Sequence, residues 1–451
     1  MKKVKRRAYS LLTLIGATVI LLVIFFFRLA SDGEDWATFP SNQNVFAGGE
    51  LALGSVYDRN GEILAQAENR VMQFNDSAAV RRANMHIVGD RRGNIGTGIL
   101  QSHAGDLIGY NLLTGTYALG GDGNSITLTI DAELSRVAYE ALAGRHGAVI
   151  VMNYETGEII ASTSAPTYDP NNMPEINPYD PNWNGVFLNR VISSSFTPGS
   201  VFKIITAAAS LDTFADALTR TYTCRGYVII DGNRVTCTGN HGTINLEQAF
   251  GFSCNPYFAL LALDLGGSVL RQYTERFGLL SSYNLDGIQT APGRFVAGEQ
   301  GSTALAWSGV GQSENLMNPL SMARFVAAIA RGGTPVEPRL IEYTSGGIFP
   351  RQNRIEVGDP ILSASVSADL ARIMRSANIN HYTGTFGNLP VAGKTGTAEV
   401  GEGRRPHAWF AGFLDDPDHP LAFVVIVEHG GGGLAAAGSV ANTVLQAAVR
   451  R

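Results

Sequence analysis

The sequence predicts an α+β protein in which one sheet is covered by helices and interrupted by an inserted helical subdomain. From residue 131 onward the predicted order is helix, two strands, a helical block, three strands and helix, which suits a single sheet flanked by helices. An uncharged N-terminal segment and a β-rich region precede it. Apolar content of 45% and charged content of 16% are typical of a folded chain. The net charge of −5, with no basic stripe beyond residue 7, gives no reason to expect nucleic acid.

The N-terminal segment has the length and composition of a membrane-spanning helix. Residues 8–27 carry no charge, and twenty residues suffice to cross a bilayer. Basic residues within 1–7 and acidic residues within 31–35 predict a cytoplasmic tail over 1–7, a single-pass anchor over 8–29 and an extracytoplasmic remainder. A cleavable signal peptide is the alternative, but Phe25-Phe26-Phe27-Arg28 lacks the small residues of a cleavage site.

Residues 30–130 are expected to form a small N-terminal domain, or pedestal. This region is rich in Gly and Asn and has short apolar runs. Asn60-Gly61 between two such runs predicts a hairpin. We therefore expect an irregular, β-rich pedestal before a larger domain over 131–451.

The larger domain is predicted to start with a helix capped by Asp131 and to end with a helix over about 439–450. Residues 200–375 are predicted to be mainly helical. The last predicted strand is almost continuously apolar, as expected for a strand buried on both faces. The predicted strands are 147–153, 158–164, 391–399, 407–413 and 421–428.

Ser200 and Lys203 lie in the segment Phe196-Thr-Pro-Gly-Ser-Val-Phe-Lys203, where a Pro-Gly turn precedes a predicted helix. Residues three apart in a helix share a face. A serine hydroxyl is a poor nucleophile until a neighbouring group accepts its proton, and a lysine does so only if its pKa is lowered. The pair therefore suggests nucleophilic catalysis.

Lysine usage strengthens this interpretation. After Lys5 the chain contains only two lysines, Lys203 and Lys394, and every other basic side chain is arginine apart from histidine. Buried lysine can lose its proton, whereas arginine does not. Ordinary surface lysines are the alternative.

Two further short motifs follow in order. Ser253-Cys254-Asn255 comes at the end of a predicted helical run, and Lys394-Thr395-Gly396 opens the C-terminal group of strands. Capping of helix ends is the alternative role for Ser253 and Asn255. The order S-x-x-K, S-x-N, K-T-G is the signature of penicillin-recognising serine enzymes.

The chain resembles the class B penicillin-binding proteins, closest to their short, single-anchor members. The resemblance extends to further segments along nearly the whole chain: Asp58-Arg-Asn-Gly-Glu-Ile-Leu-Ala65, Gly147-Ala-Val-Ile-Val, Thr156-Gly-Glu, Pro166-Thr-Tyr-Asp-Pro170, Asn189-Arg190, Gly311-Gln312 and His407-Ala-Trp-Phe. It implies a transpeptidase fold like that of serine β-lactamases: an antiparallel sheet flanked by helices, with an all-α subdomain. It also implies peptidoglycan D,D-transpeptidase activity on D-Ala–D-Ala stem peptides, covalent inhibition by β-lactams, and pairing with a polytopic glycan polymerase.

The resemblance assigns a role to each motif residue. Ser200 is the nucleophile, Lys203 its base, Ser253 a proton shuttle, and Asn255 a ligand of the substrate amide that also orients Lys203. Lys394 and Thr395 bind the substrate carboxylate. A glycine such as Gly396 within a strand marks either a kink or a close approach of a ligand to the backbone. The backbone N–H groups of Ser200 and Thr397 form the oxyanion hole.

Several alternatives stay open. A D,D-carboxypeptidase, a β-lactamase and a non-catalytic β-lactam sensor or scaffold share the motifs or the fold. A phosphate-binding loop is suggested by Gly393-Lys394-Thr395, but its spacing from Gly387 is one residue too long, and a helix would have to follow.

The chain contains three cysteines, Cys224, Cys237 and Cys254. Cys224 and Cys237 flank a predicted hairpin, and they could form a disulfide or stay as free thiols. Because neither Cys-x-x-Cys nor His-Glu-x-x-His occurs, we expect no structural or catalytic zinc. No cofactor is expected.

Overall fold

The computed structural model describes residues 2–39, 42–43, 45–47, 50–110, 112, 115, 123–345, 351–401 and 403–451.

The described residues form two larger sheets, one of five strands and one of six, together with helices and short strand pairs. The helices are α1 (Lys2–Ala37), α2 (Ala78–Val88), α3 (Ile99–Ser102), α4 (Ala104–Ile108), α5 (Ala132–Leu142), α6 (Lys203–Thr213), α7 (Leu246–Gly251), α8 (Asn255–Leu265), α9 (Gly267–Arg276), α10 (Thr303–Val310), α11 (Pro319–Ala330), α12 (Ala364–His381) and α13 (Ser439–Ala448). The strands are β1 (Phe46–Ala47), β2 (Glu50–Leu51), β3 (Ser55–Tyr57), β4 (Ile63–Glu68), β5 (Val71–Phe74), β6 (Ser125–Leu128), β7 (Gly147–Asn153), β8 (Ile159–Ala165), β9 (Tyr222–Cys224), β10 (Tyr227–Ile230), β11 (Asn233–Thr236), β12 (Gly242–Ile244), β13 (Asn284–Leu285), β14 (Ile288–Gln289), β15 (Ile341–Thr344), β16 (Arg351–Gln352), β17 (Val391–Ala398), β18 (His407–Leu414) and β19 (Leu421–Val427).

The central sheet has five antiparallel strands in the order β17-β18-β19-β7-β8. Every residue of β18 and β19 is buried, as the apolar run predicts for strands inside a sheet covered on both faces. Helices α5 and α13 pack on each other and on this sheet, and α11 and α12 also contact it. The predicted α+β class, with an antiparallel sheet flanked by helices, is confirmed.

The region between β8 and β17 is inserted into this sheet. It contains α6 to α12 and is mainly helical, as predicted. It also contains the short antiparallel pairs β10–β11, β9–β12 and β13–β14. The insert is therefore helical in its bulk, with small hairpins at its edge.

The second sheet has six strands in the order β16-β15-β6-β3-β4-β5, with β3 and β6 parallel. The predicted hairpin around Asn60-Gly61 joins β3 to β4. Strands β15 and β16 come from the C-terminal half of the chain and complete this sheet, so the expected boundary near residue 130 is crossed by main-chain hydrogen bonds.

The β-rich description of the pedestal was incomplete. Residues 78–88 form α2, whose first turn is capped by the Ser77 side chain, and this helix packs against α5 and β8. Residues 40–41, 44, 48–49, 111, 113–114 and 116–122 of the expected pedestal lie outside the described residues.

Helix α1 is long and apolar enough to cross a membrane, and none of its most apolar window is buried inside the protein. It continues to Ala37, past the expected end of the anchor at residue 29. Its length and composition are compatible with a single-pass membrane anchor.

Candidate active site

Ser200 lies in the first turn of a helix, as the Pro-Gly turn predicts. Gly199–Phe202 form a 3₁₀ turn that continues directly into α6. Gly199 has φ +56°, and a Cβ there would lie 2.7 Å from the carbonyl oxygen of Thr397. Only glycine allows this combination of a left-handed backbone and a close approach to β17. The partly exposed Ser200 is thereby held next to that strand.

Two hydrogen bonds hold the turn before Ser200 in place. The indole Nε1 of the buried Trp409 donates to the carbonyl of Thr197 at 2.9 Å. The backbone N–H of Gly199 donates to the carbonyl of Gly311 at 2.9 Å. Gly311 has φ +93°, and a Cβ there would lie 2.0 Å from the carbonyl oxygen of Gly199. The serine turn is thus fixed between β18 and the end of α10.

Lys203 is completely buried, and its amine faces the second motif. Its Nζ donates to the carbonyl and Oγ of Ser253 at 2.7 and 3.1 Å, and to Oδ1 of Asn255 at 2.7 Å. Burial and the nearby charge of Lys394 lower the pKa of Lys203 well below its ordinary value. Within the described ranges Ser200 Oγ has no hydrogen-bond partner, so the S-x-N motif supplies the polar contacts of this amine.

The S-x-N motif adopts a strained backbone. Ser253 has φ +54°, in the left-handed region, where a non-glycine residue costs about 1–3 kcal/mol. Such outliers cluster at functional sites. Asn255 begins α8, and its Nδ2 donates to the carbonyl of Thr236 at the end of β11. The strained serine is therefore held between two helices and linked to a hairpin.

The third motif lies on β17, beside the serine turn. A Cβ at Gly396 would be 2.8 Å from the carbonyl oxygen of Pro198, so glycine permits the strand to approach the turn. Lys394 is fully buried, and burial lowers its pKa to about 7. Its Nζ donates to the carbonyl of Thr395 at 3.2 Å. Thr397 is exposed on the same strand, and its carbonyl accepts from Nε2 of Gln312 at 3.3 Å.

The structure thus brings the predicted site residues Ser200, Lys203, Ser253, Asn255, Lys394, Thr395, Gly396 and Thr397 to one end of β17 and the helices beside it. The position of Lys394 within β17 excludes the phosphate-binding loop. Such a loop needs a helix directly after its lysine, and Lys394 lies inside a strand.

Sequence reasoning missed two residues of this site. The hydroxyl of the buried Tyr382 accepts from the backbone N–H of Thr395 at 3.3 Å and lies 3.3 Å from its Oγ1. Gln312 was noted only as part of a resemblance. No local pattern marks either residue, because both reach the site from distant segments.

All three cysteines are free thiols. Cys254 is buried between Ser253 and Asn255 in the S-x-N motif. Cys224, Cys237 and His241 lie beside it, with ligand atoms close together. No motif indicated this grouping, since the four residues are spread over about thirty positions without a recognised spacing.

Comparison with known proteins gives a consistent picture. The profile of the penicillin binding protein transpeptidase domain matches residues 147–449. The chain is 31% identical over 350 residues to the peptidoglycan D,D-transpeptidase PbpA of Mycolicibacterium smegmatis, covering 70% of each chain. It is 30% identical over 365 residues to PbpA of Mycobacterium tuberculosis, covering 73% of each.

Solved structures match over most of the chain. The crystal structure of PBPA from Mycobacterium tuberculosis superposes with a TM-score of 0.77 at 25% identity, covering 88% of this chain and 99% of that one. The same protein is known as an acyl-enzyme complex with imipenem, which matches with a TM-score of 0.77 at 26% identity. A D,D-transpeptidase domain from Eggerthella lenta matches with a TM-score of 0.75 at 25% identity.

Proposed function

The chain belongs to the family of penicillin-binding proteins with a transpeptidase domain, and we propose that it is a peptidoglycan D,D-transpeptidase that forms a serine acyl-enzyme. The substrate is a stem peptide that ends in D-Ala–D-Ala. The enzyme transfers the penultimate D-Ala acyl group to Ser200 and then to an amine of a neighbouring stem. β-Lactams acylate the same serine. Relatives known as β-lactam acyl-enzymes support this chemistry.

The observation on which the proposal rests most is the environment of Lys203. A buried amine with a lowered pKa is a competent base at neutral pH, and it lies one helical turn from Ser200. In the first step Lys203 accepts the proton of Ser200 while Oγ attacks the carbonyl carbon of the penultimate D-Ala. The negative charge then develops on the carbonyl oxygen.

The backbone N–H groups of Ser200 and Thr397 are the proposed donors to that oxygen. The close packing of Gly199 and Gly396 against neighbouring carbonyls fixes the serine turn against β17. Donors held rigidly before the reaction stabilise a developing charge without reorganisation. Removing one such donor typically costs about 10²–10³-fold in rate.

Ser253 is the proposed route for the proton to the leaving group. Its Oγ accepts a hydrogen bond from Lys203 Nζ at 3.1 Å, so a proton taken from Ser200 has a hydroxyl as its next partner. The C–N bond breaks, the nitrogen of the terminal D-Ala takes the proton, and free D-Ala leaves. The acceptor amine then attacks the ester, and the reverse proton path restores Ser200 and Lys203.

Lys394 and Thr395 are the proposed partners of the substrate carboxylate. Lys394 is buried and Thr395 is partly exposed on β17, and the hydroxyl of Tyr382 holds Thr395 in place. A charged Lys394 also raises the positive potential around Lys203, which favours the neutral form of that base. Asn255 is proposed to orient Lys203 and to bind the substrate amide.

We further propose the arrangement of the chain at the membrane. The basic residues at the start of α1 support a cytoplasmic N-terminus, with residues 30–451 outside the membrane. In this proposal residues 1–7 form the tail, 8–29 the anchor, 30–130 the pedestal and 131–451 the transpeptidase domain. The anchor and pedestal then offer the surface for a polytopic glycan polymerase.

Intact-protein mass spectrometry tests the central proposal. The full-length protein in detergent and its Ser200→Ala variant are incubated with benzylpenicillin, followed by a stem pentapeptide with and without an acceptor amine. A stable one-to-one adduct on the parent alone, and amine-dependent cross-linked product, support the transpeptidase. Drug consumption without an adduct would indicate a hydrolase. Release of D-Ala without transfer to the amine would indicate a carboxypeptidase.

A further inference from the structure

Four metal-ligating side chains meet beside the active site. The sulfur atoms of Cys224, Cys237 and Cys254 and a ring nitrogen of His241 all lie within 4.8 Å of one another. Nδ1 of His241 is 3.6 Å from Sγ of Cys224 and 3.6 Å from Sγ of Cys237. The four groups come from three short segments: the end of β9, the loop between β11 and β12, and the residue before α8.

The two sulfur-to-nitrogen distances match those of a metal tetrahedron, and all four ligand atoms lie within 4.8 Å of one another. Zinc binds thiolate sulfur at about 2.3 Å and histidine nitrogen at about 2.0–2.1 Å, so tetrahedral ligands would stand about 3.8 Å apart for two sulfurs and about 3.5 Å for sulfur and nitrogen. Three thiolates and one imidazole form a closed donor set with no position left for water. Such Cys₃His sets are characteristic of structural zinc.

The surrounding hairpins are held mainly by their packing against α8 and α10. Residues 222–244 form two separate two-stranded pairs, β9–β12 and β10–β11, and most of their side chains are partly or fully exposed. An isolated two-stranded pair is at best marginally stable in water. A metal that joins the end of β9, the loop between β11 and β12 and the start of α8 would add to these contacts and stabilise the hairpins.

The orientation of the ligands agrees with this role. The ring of His241 stacks on Phe252 at 4.7 Å with an interplanar angle of 15°, and its Nδ1 faces the sulfurs of Cys224 and Cys237. Cys224 and Cys254 are buried, and Cys237 and His241 are half-buried. All three thiols are free and therefore available to a metal.

From this geometry we propose that Cys224, Cys237, His241 and Cys254 bind one structural Zn²⁺ that positions the S-x-N motif. Cys254 lies between Ser253 and Asn255, so a bond from its sulfur to the metal fixes both neighbours. Asn255 is also joined to Thr236, the residue before Cys237, by a 2.9 Å hydrogen bond. The metal and this hydrogen bond together hold the left-handed Ser253 against Lys203.

The role in positioning rests on the proposed acyl-enzyme function, whereas metal binding does not. The two are therefore measured separately on the full-length protein in detergent. Metal content is determined by elemental mass spectrometry on protein that is purified without chelators. Acylation by benzylpenicillin is followed by intact mass, and unfolding by thermal melting.

We expect about one zinc per chain in the parent and in a control, His419→Ala, whose histidine is partly exposed beside Asp416, away from the cluster. The Cys224→Ser, Cys237→Ser double variant should lose most of the zinc. Removal of the metal from the parent by a chelator should lower the melting temperature and slow acylation about tenfold or more. Added Zn²⁺, but not Mg²⁺, should restore both. Cobalt substitution should give a thiolate-to-metal charge-transfer band, which does not depend on activity.

Parent protein that is purified without zinc, takes up none when it is added and melts unchanged would overturn the site. So would a Cys224–Cys237 disulfide in the purified protein, or iron in place of zinc. Because metal content is read directly on the parent, misfolding of a variant leaves the test intact. Bound zinc without acylation of Ser200 would refute the proposed function alone, and acylation that is indifferent to zinc would refute the positioning role.

Discussion

Nζ of Lys203 donates a hydrogen bond to Oδ1 of Asn255 at 2.7 Å, while Nδ2 of the same amide donates to the carbonyl of Thr236. These two partners define the orientation of the amide, because only its oxygen can accept from an amine. The buried base is therefore anchored by the S-x-N motif and, through it, by the hairpin that ends at Thr236. The amine of Lys203 is therefore positioned by its hydrogen bonds to Ser253 and Asn255 and not by a bond to Ser200.

Replacing Lys203 by arginine should abolish most of the acylation. Arginine keeps the positive charge but cannot accept the proton of Ser200. We expect the second-order rate of acylation by benzylpenicillin to fall about 10²–10⁴-fold, the usual contribution of a positioned base. Thermal melting checks that the variant folds. A variant that folds and reacts at the parent's rate would mean that another group takes the proton.

Acylation should decrease as the pH rises through about 7. Burial lowers the pKa of Lys394 to about 7, so its amine is charged below that pH and neutral above it. Benzylpenicillin carries a carboxylate, and a neutral Lys394 attracts it less. The second-order rate should therefore fall by about tenfold per pH unit above the pKa. In Lys394→Arg the charge persists, so this falling limb should disappear. A flat parent profile between pH 6 and 9 would contradict the assignment.

Gly311→Ala should disrupt the serine turn. A Cβ at this position would lie 2.0 Å from the carbonyl oxygen of Gly199, whose N–H is bonded to the carbonyl of Gly311. Gly332→Ala is the matched control, because Gly332 also has positive φ (+71°) but has open space around it. The control should lose only about 1–2 kcal/mol of folding stability, which is the cost of a left-handed backbone at a non-glycine residue. Gly311→Ala should lose more stability and acylate at least about tenfold more slowly. Equal effects in the two variants would show that the contact with Gly199 is unimportant.

Trp409→Phe should lower stability and slow acylation. The substitution leaves the carbonyl of Thr197 without the indole donor that reaches it at 2.9 Å. An unsatisfied buried polar group costs about 1–3 kcal/mol. Trp307→Phe, at a partly buried tryptophan on α10, serves as the control. Denaturant unfolding and acylation kinetics measure the two effects. If Trp409→Phe unfolds like the control, the hydrogen bond does not hold the turn.

The central sheet could be predicted closely from local patterns. A nearly continuous apolar run marked β19, and Asp131 marked the start of α5, whose Leu134 N–H it caps. These signals are local, since burial on both faces and helix capping act over a few residues. The three motifs were identified in the same way. The structure brings them together, and their roles stay proposals.

Other features depend on contacts between distant segments. Nothing near Tyr382 indicates that its hydroxyl reaches Thr395. The Cys–His cluster was not expected, because its ligands follow no familiar spacing and are brought together only by hairpins and a helix start. Helix α2 had a local signal, the Ser77 cap, that was overlooked in a Gly- and Asn-rich region. Contacts between residues far apart in the chain produce no periodic pattern in a single sequence.

The sharing of the six-stranded sheet between the two halves of the chain has a consequence for biosynthesis. Strand β6 pairs on one side with β3 and on the other with β15, whose residues are made more than two hundred positions later. During synthesis the N-terminal segment emerges first, and domains commonly fold in that order. Here β6 must wait with one edge unpaired until residues 341–344 are complete. The six-stranded sheet is therefore finished late, and an exposed strand edge is open to wrong pairing during that interval.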